Sequence, residues 1–226
     1  SITTTIGISY EAVLGDCIPL AKYYQGWNWI SINQSFDDMS LSYIFETLLN
    51  NPSYIKSQDA YADYYEDYGW FGTLESVDNY SMYKLNMNQG DAIALRGEVI
   101  NIDTTNYTLL EGWNWVGYSP IIPLEINTAL SNIPSGYTTY IKSQAGYSDY
   151  YSDYGWYGTL SQLDPLLGYV INATESFDFI YNIESNIPLI APDNQTSHIF
   201  DFDLHKYEHN ATMTIAIYDN NGYNNN

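Results

Sequence analysis

The chain says much of itself twice. "YIKSQDAYADYYEDYGWFGTL" at 54–74 returns as "YIKSQAGYSDYYSDYGWYGTL" at 140–160. "GWNWIS" at 26–31 returns as "GWNWVG" at 112–117, and "MYKLN" at 82–86 aligns with "GYVIN" at 168–172. All three matches share an offset of 86 residues. All six Trp fall into matched pairs: Trp27/Trp113, Trp29/Trp115 and Trp70/Trp156. One fixed offset across separated segments is the mark of a duplicated unit. Two tandem homologous repeats are therefore expected, over 20–107 and 108–186. An N-terminal strand and connector (1–19) and a linker with a C-terminal β segment (187–226) flank them.

Each repeat reads as β-rich with one short helix. "GWNWISI" alternates, with Trp27 and Trp29 on one face and Asn28 and Ile30 on the other, as a strand requires. Leu41, Ile44, Phe45 and Leu48 recur at helical spacing, with Ser40 as N-cap and Asn50-Asn51-Pro52 as the stop. The second copy repeats this more weakly through Ile126, Ala129, Leu130 and Ile133. Strands are expected around "YIKSQ", "GWFGTL", "MYKLNM" and "DAIALRGEVI", with a Tyr-rich stretch between the first two. Outside the repeats, "SITTTIGISY" places Ile2, Thr4, Ile6, Ile8 and Tyr10 on one face and Ser1, Thr3, Thr5, Gly7 and Ser9 on the other. This is a strong amphipathic strand signal. "TMTIAIY" near the C-terminus is a further strand, and "IPLIAPDNQ" before it is a linker.

Charge narrows the partners. The 226 residues carry a formal charge of −21, from 27 Asp and Glu against six Lys and Arg. Such a chain repels nucleic-acid phosphate and anionic membranes. It suits divalent cations or basic partners, and it keeps the surface soluble. The single Cys17 excludes an intrachain disulfide. "VLGDC" fails as a lipid-attachment signal, because Asp16 stands where a small residue is needed and no apolar stretch precedes it. No run approaches the ~18 apolar residues of a membrane-spanning helix, and no signal peptide is visible. A start at Ser1 rather than Met points to numbering that begins after processing.

The residues that could carry chemistry are sparse. There is no nucleophile motif, and "GDAIALRG" lacks the ending of a phosphate loop. His198, His205 and His209 all lie in the C-terminal extension without the further ligands of a zinc site. Asp63/Asp149 and Asp67/Asp153 are common to both repeats, but Glu66 becomes Ser152, so that carboxylate is not shared. Solvated faces and turn caps account for these acids, and no enzyme or cofactor is expected. The aromatic sets Tyr64, Tyr65, Tyr68, Trp70 and Tyr150, Tyr151, Tyr154, Trp156 are candidates for sugar-ring stacking or a protein interface, against plain cross-strand packing. Lys56 and Lys142, in the "KSQ" triplets, are expected to pair with an Asp of their own repeat. Six sequons, at Asn33, Asn79, Asn106, Asn172, Asn194 and Asn210, are candidate N-glycosylation sites and fit an extracellular protein.

The succession "GWNWIS…YIKSQ…YYEDYGWFGTL…MYKL" resembles tandem modules of predicted secreted surface proteins of environmental bacteria. In these, an Ig-like β-domain often follows the repeats, and "YEHNATMTIAIYDNNG" (207–222) resembles its opening strand. The chain is also similar to the protomers of pilus-like extracellular helical fibrils recovered from pond water. That resemblance implies donor-strand exchange, with residues 1–10 as the donor strand that completes a neighbour's Ig-like fold. The stretch 187–226 falls short of the ~100 residues of a whole Ig-like domain, so either strands from elsewhere contribute or the sequence is incomplete.

The expectation is thus a β-rich α+β chain with two repeats, plus terminal strands of an Ig-like part. It would serve as a structural subunit of an extracellular, pilus-like fibril. Its partner would be itself, with no nucleic acid and no membrane insertion, and with divalent cations or glycans as further candidates. The alternative is a glycan-binding surface adhesin module that uses the repeated Tyr/Trp clusters.

Overall fold

Alternating residues in both halves of the chain build the same sheet twice. The computed structural model describes residues 9–13, 16–48 and 52–183, all within one compact unit, Ser1–Asn186. The first half runs β1 (Ser9–Val13), β2 (Asp16–Tyr23), β3 (Gly26–Ile30), β4 (Gln34–Ser35), then α1 (Leu41–Ile44). It continues with β5 (Pro52–Lys56), β6 (Tyr61–Tyr65), β7 (Gly69–Gly72), β8 (Tyr83–Met87), β9 (Asp91–Ala94) and β10 (Glu98–Val99). The second half runs β11 (Tyr107–Leu109), β12 (Gly112–Gly117), β13 (Leu124–Glu125), then α2 (Ile126–Ala129). β14 (Thr138–Lys142), β15 (Tyr147–Tyr151), β16 (Gly155–Gly158), β17 (Gln162–Leu163), β18 (Gly168–Ala173) and β19 (Phe177–Phe179) complete it.

Two five-stranded antiparallel sheets dominate, ordered β3-β8-β5-β6-β7 and β12-β18-β14-β15-β16. Their registers coincide at the 86-residue offset. Asn28 opposes Leu85 as Asn114 opposes Ile171, and Ile55 opposes Ala62 as Ile141 opposes Ser148. The smaller pairs obey the same rule: Ala21 faces Ile93 in β2–β9, and Tyr107 faces Phe179 in β11–β19. Tyr107 therefore opens the second unit, and the expected boundary after residue 107 moves before it. The start of the chain also departs from a separate connector over 1–19. β1 forms a hairpin with β2, and β2 continues into the β2–β9 pair.

Strand alternation sorts the faces. Ile30, Ile55, Ala62, Leu85 and Met87 point into one core, against Leu41, Ile44, Phe45 and Leu48 of the α1 region. Val116, Ile141, Ile171 and Ala173 point into the other, against Ile126, Ala129 and Leu130. The expected helices are present but only four residues long. Ser40 caps α1 through its hydroxyl, which accepts from Tyr43 N, and Glu125 does the same for α2 by accepting from Thr128 N. Pro52, expected as a stop, already begins β5. The Tyr-rich stretch between the expected strands is itself strand β6, closed onto β7 by a tight turn. Gly69 has φ +77 and Gly155 φ +75 after three-residue loops. This left-handed position is what such a hairpin asks of glycine, and it explains why "DYGW" is kept in both copies.

The two units touch reciprocally. Ser31 N donates to Leu166 O (3.0 Å), and Gly117 N donates to Tyr80 O (2.7 Å). Gln58 of the first unit grips the outer edge of β12: its Oε1 accepts from Trp115 N (2.9 Å) and its Nε2 donates to Trp113 O (3.0 Å). Gln144 does the same to β3, accepting from Trp29 N (2.8 Å) and donating to Trp27 O (2.6 Å). Residue i meeting j while the equivalent of j meets the equivalent of i is the pattern of a two-fold axis. These amides also occupy sheet edges that would otherwise stay open. At the axis the copies differ, because two identical side chains would meet there. Met82 packs where Gly168, its counterpart, has no side chain; a Cβ on Gly168 would run into Met82 and stand 2.8 Å from Ile30 O.

The terminal Ig-like strands expected over 187–226 lie outside the described residues, as do "TMTIAIY" and the three His.

Candidate functional site: aromatic faces and a lysine–tryptophan cluster

The sheet faces turned away from the cores carry rows of aromatic rings. On the first sheet Trp27 stands edge-on to Tyr54 (5.9 Å), Tyr54 stacks on Tyr61 (6.0 Å, 16°), and Tyr65 meets Phe71 (6.0 Å). The second sheet repeats the row: Trp113 on Tyr140 (5.8 Å) and Tyr140 stacked on Tyr147 (5.8 Å, 17°). These rings are open to solvent, with Trp27 46% and Trp113 55% exposed and Phe71 57%. An exposed aromatic row of this kind is a candidate contact surface. Tyr and Trp suit it, since each ring offers rigid apolar area with a polar handle.

This placement corrects the aromatic candidates. Trp156 is only 7% exposed, and Trp70 packs on the first core beside Phe45. Tyr64 and Tyr150 lie against them, 5.2 and 5.3 Å between ring centres. Register is the cause: Tyr64 pairs with Trp70 and Tyr150 with Trp156, and both pairs fall on the inward face of their hairpin. Tyr65, Tyr68, Tyr151 and Tyr154 are exposed. The accessible ladder also includes Trp27, Tyr54, Tyr61 and Phe71, with Trp113, Tyr140, Tyr147 and Tyr157 opposite. Their signal was the alternation itself, once the turn fixes which parity faces out.

Other candidates separate as follows. Tyr10 lies in β1, opposite Pro19 of the same chain, while Ile2, Thr4, Ile6 and Ile8 lie outside the described residues. Among the sequons, Asn33 is fully buried, which removes it as an acceptor of a glycan. Asn79 Nδ2, the atom a glycan would need, donates to Ile32 O (3.0 Å) and Gln34 O (2.8 Å). Asn172 is half-buried and accepts from Thr139 Oγ1, whereas Asn106 is exposed. Asn194 and Asn210 lie outside the described residues. Asp63 and Asp149 sit half-buried on the outward faces, and Glu66, Asp67 and Asp153 are exposed at the hairpin tips. Among the described residues no three His, Cys, Asp or Glu are grouped to hold a metal ion.

Between the two aromatic faces lies a cluster that sequence patterning did not anticipate. Lys84 Nζ stands 4.4 Å from the Trp29 ring and 4.4 Å from the Trp115 ring, one from each unit. Lys56 lies 5.2 Å from Trp115, and Lys142 5.7 Å from Trp29. The two "KSQ" lysines thus reach Trp of the opposite unit, in place of the expected Asp of their own. Cation–π attraction holds each ammonium, and the Gln58 and Gln144 clamps carry each lysine's segment across. Half of the chain's six basic residues meet here. Lys84 has its pKa pushed down, first by burial and then by the neighbouring Lys56 and Lys142. Lys84 has Val170 as its counterpart, so the duplicated pattern breaks at the residue that sits on the axis.

Comparison with known proteins gave no match: no family model, no curated protein and no solved structure corresponds to the chain. No helix among the described residues is long and apolar enough to cross a membrane.

Proposed function

We propose that the chain is a non-catalytic structural subunit of an extracellular, pilus-like helical fibril. The N-terminal strand of one copy inserts beside a strand of its neighbour and completes the neighbour's Ig-like part. The observation that carries this reading is the alternation of Ile2, Thr4, Ile6, Ile8 and Tyr10 against Ser1, Thr3, Thr5, Gly7 and Ser9. A strand of that pattern supplies main-chain hydrogen bonds to an open sheet edge and one apolar face to the core beneath. A head-to-tail contact that does not close on itself builds a filament. Two features of the fold support it. β1, which begins within the alternating run at Ser9, is an edge strand of the β1-β2-β9 sheet. The aromatic faces of both main sheets offer lateral contact between subunits. The test is Ile6→Asp. Each buried Ile of the donor contributes about 1.5–3 kcal/mol, so one charge on that face lowers assembly sharply. Sedimentation of the wild type with loss of the pellet in the variant is expected; equal pelleting by both sinks the reading.

The exposed aromatic ladders favour a second reading, a saccharide-binding surface module. A glycan array with Trp27→Ala and Trp113→Ala decides it. Hits lost in the double variant support it, and hits indifferent to both substitutions refute it.

A further inference from the structure

We infer that the lysine–tryptophan cluster and the groove beside it bind a carboxylate-bearing saccharide, a uronate unit of an acidic polysaccharide. The inference rests on the saccharide reading and is independent of fibril assembly. The groove is lined by Trp27, Trp29, Tyr54, Lys56, Lys84 and Gln144. Its chemistry is the reverse of the rest of the chain. In a protein of net charge −21, three of six basic side chains converge on two indole rings. The charges that act on Lys84 are those of Lys56 and Lys142, one lysine from each half of the chain. Gathering like charges is unfavourable, and Lys56 and Lys142 add to burial in lowering the pKa of Lys84. A structural cation–π contact between the units needs one lysine; the second and third add positive charge, with Asp63 beside Tyr54 as the nearest carboxylate of that face. An anion entering the groove relieves that repulsion and gains charge-assisted hydrogen bonds.

The walls decide which anion. Trp27 is half-exposed beside Tyr54, and Tyr54 stacks nearly parallel on Tyr61. A pyranose ring presents axial C–H groups that lie flat on such rings, while its carboxylate reaches Lys56 and Lys84. Gln144 has its side-chain amide committed to Trp27 O and Trp29 N, so it shapes the groove without competing for the ligand. An acidic polypeptide would meet the same charge but has no rigid apolar face to match the ladder. The Trp113–Tyr140–Tyr147 row continues from the far side of the cluster, where Lys142 lies. A chain of uronates can thus run from one aromatic row over the lysines to the other.

The test is calorimetric titration of the whole chain with oligogalacturonate. A neutral cello-oligosaccharide of equal length and poly-glutamate serve as competing probes. Oligogalacturonate should bind, weaken as salt rises, and lose roughly tenfold in affinity with Lys84→Gln and with Trp27→Ala. Lys142→Gln, at an exposed position on the far side of the cluster, should weaken binding too; near-ultraviolet circular dichroism checks that each variant is folded. Three results overturn the inference. If poly-glutamate binds as tightly and ignores Trp27→Ala, the cluster takes acidic polypeptide. If only the neutral oligosaccharide binds, the ladders bind sugar and the charge assignment fails. If neither saccharide binds, the saccharide reading fails with it.

Discussion

Raising the pH above 10 should unfold this protein abruptly, and the structure sets the scale. Tyr23, Tyr83, Tyr107, Tyr118, Tyr169 and Tyr181 are each at most 5% exposed. Burial pushes the phenol pKa of all six well above its ordinary value. Coulombic repulsion from Asp78 adds to this at Tyr83, and from Tyr107, Tyr118 and Tyr169 at Tyr181. In the unfolded chain these phenols ionise near 10. Above that pH the unfolded state has released protons that the native state still holds, so stability falls as pH rises. At pH 11 the loss is about 1.4 kcal/mol per tyrosine and about 8 kcal/mol for six. A typical domain has ~5–15 kcal/mol to lose. Lys84 works in the opposite direction: with its pKa lowered in the fold, it adds stability as pH climbs toward the free-lysine value. It is one group against six, and its contribution is complete by about pH 10.4. The midpoint therefore falls between about pH 10.5 and 11.5. Tyrosinate absorbance and far-ultraviolet circular dichroism should be followed together. A late, steep rise in tyrosinate coincident with loss of the sheet signal is expected. A single shallow titration near 10, with the sheet signal intact, refutes the assignment of these phenols to the cores.

Three further substitutions probe the duplicated architecture. Gly168→Ala places a Cβ against Met82 and the Ile30 carbonyl; a loss of about 1–3 kcal/mol is expected in urea unfolding, with partial recovery in the Met82→Ala background. Asn28 accepts from Tyr24 N (2.8 Å) and donates to Tyr24 O (2.7 Å) and Gly26 O (3.0 Å), and Asn114 makes the same three bonds to Leu110 and Gly112. Asn28→Ala should cost about 1–3 kcal/mol. Asn114→Ala should cost less, because Asn114 is less deeply buried, and the two losses should add in the double variant.

Local pattern carried some features and not others. The offset of 86 matched the elements of one half of the chain to those of the other. Helical spacing found the α1 and α2 segments and their buried residues, though the helices stop after four residues. Alternation put Trp27 and Trp29 on one face, but it does not say which face is inside. Hydrophobicity argues for the Trp face, yet Asn28 is needed beneath to tie the turn, so the Trp face looks outward. At "GWFG" the same residue type points the other way, because register with Tyr64 brings Trp70 onto the core. Sequons are read from three residues, and burial of Asn33 comes from the whole fold. The lysine cluster was least legible. Lys56, Lys84 and Lys142 are far apart along the chain, and only the reciprocal contact of the two units joins them. Its one trace in sequence is a break in the repeat, Lys84 against Val170.

The proposed fibril depends on assembly through the N-terminal strand. The most direct measurement is negative-stain electron microscopy of the chain with and without residues 1–8, the stretch that precedes the β1–β2 hairpin. Circular dichroism should confirm that both forms keep their sheets. Helical filaments are expected from the full chain and dispersed particles from the shortened one, with filaments restored when full-length chain is added. Filaments of equal number and length from both forms would contradict it.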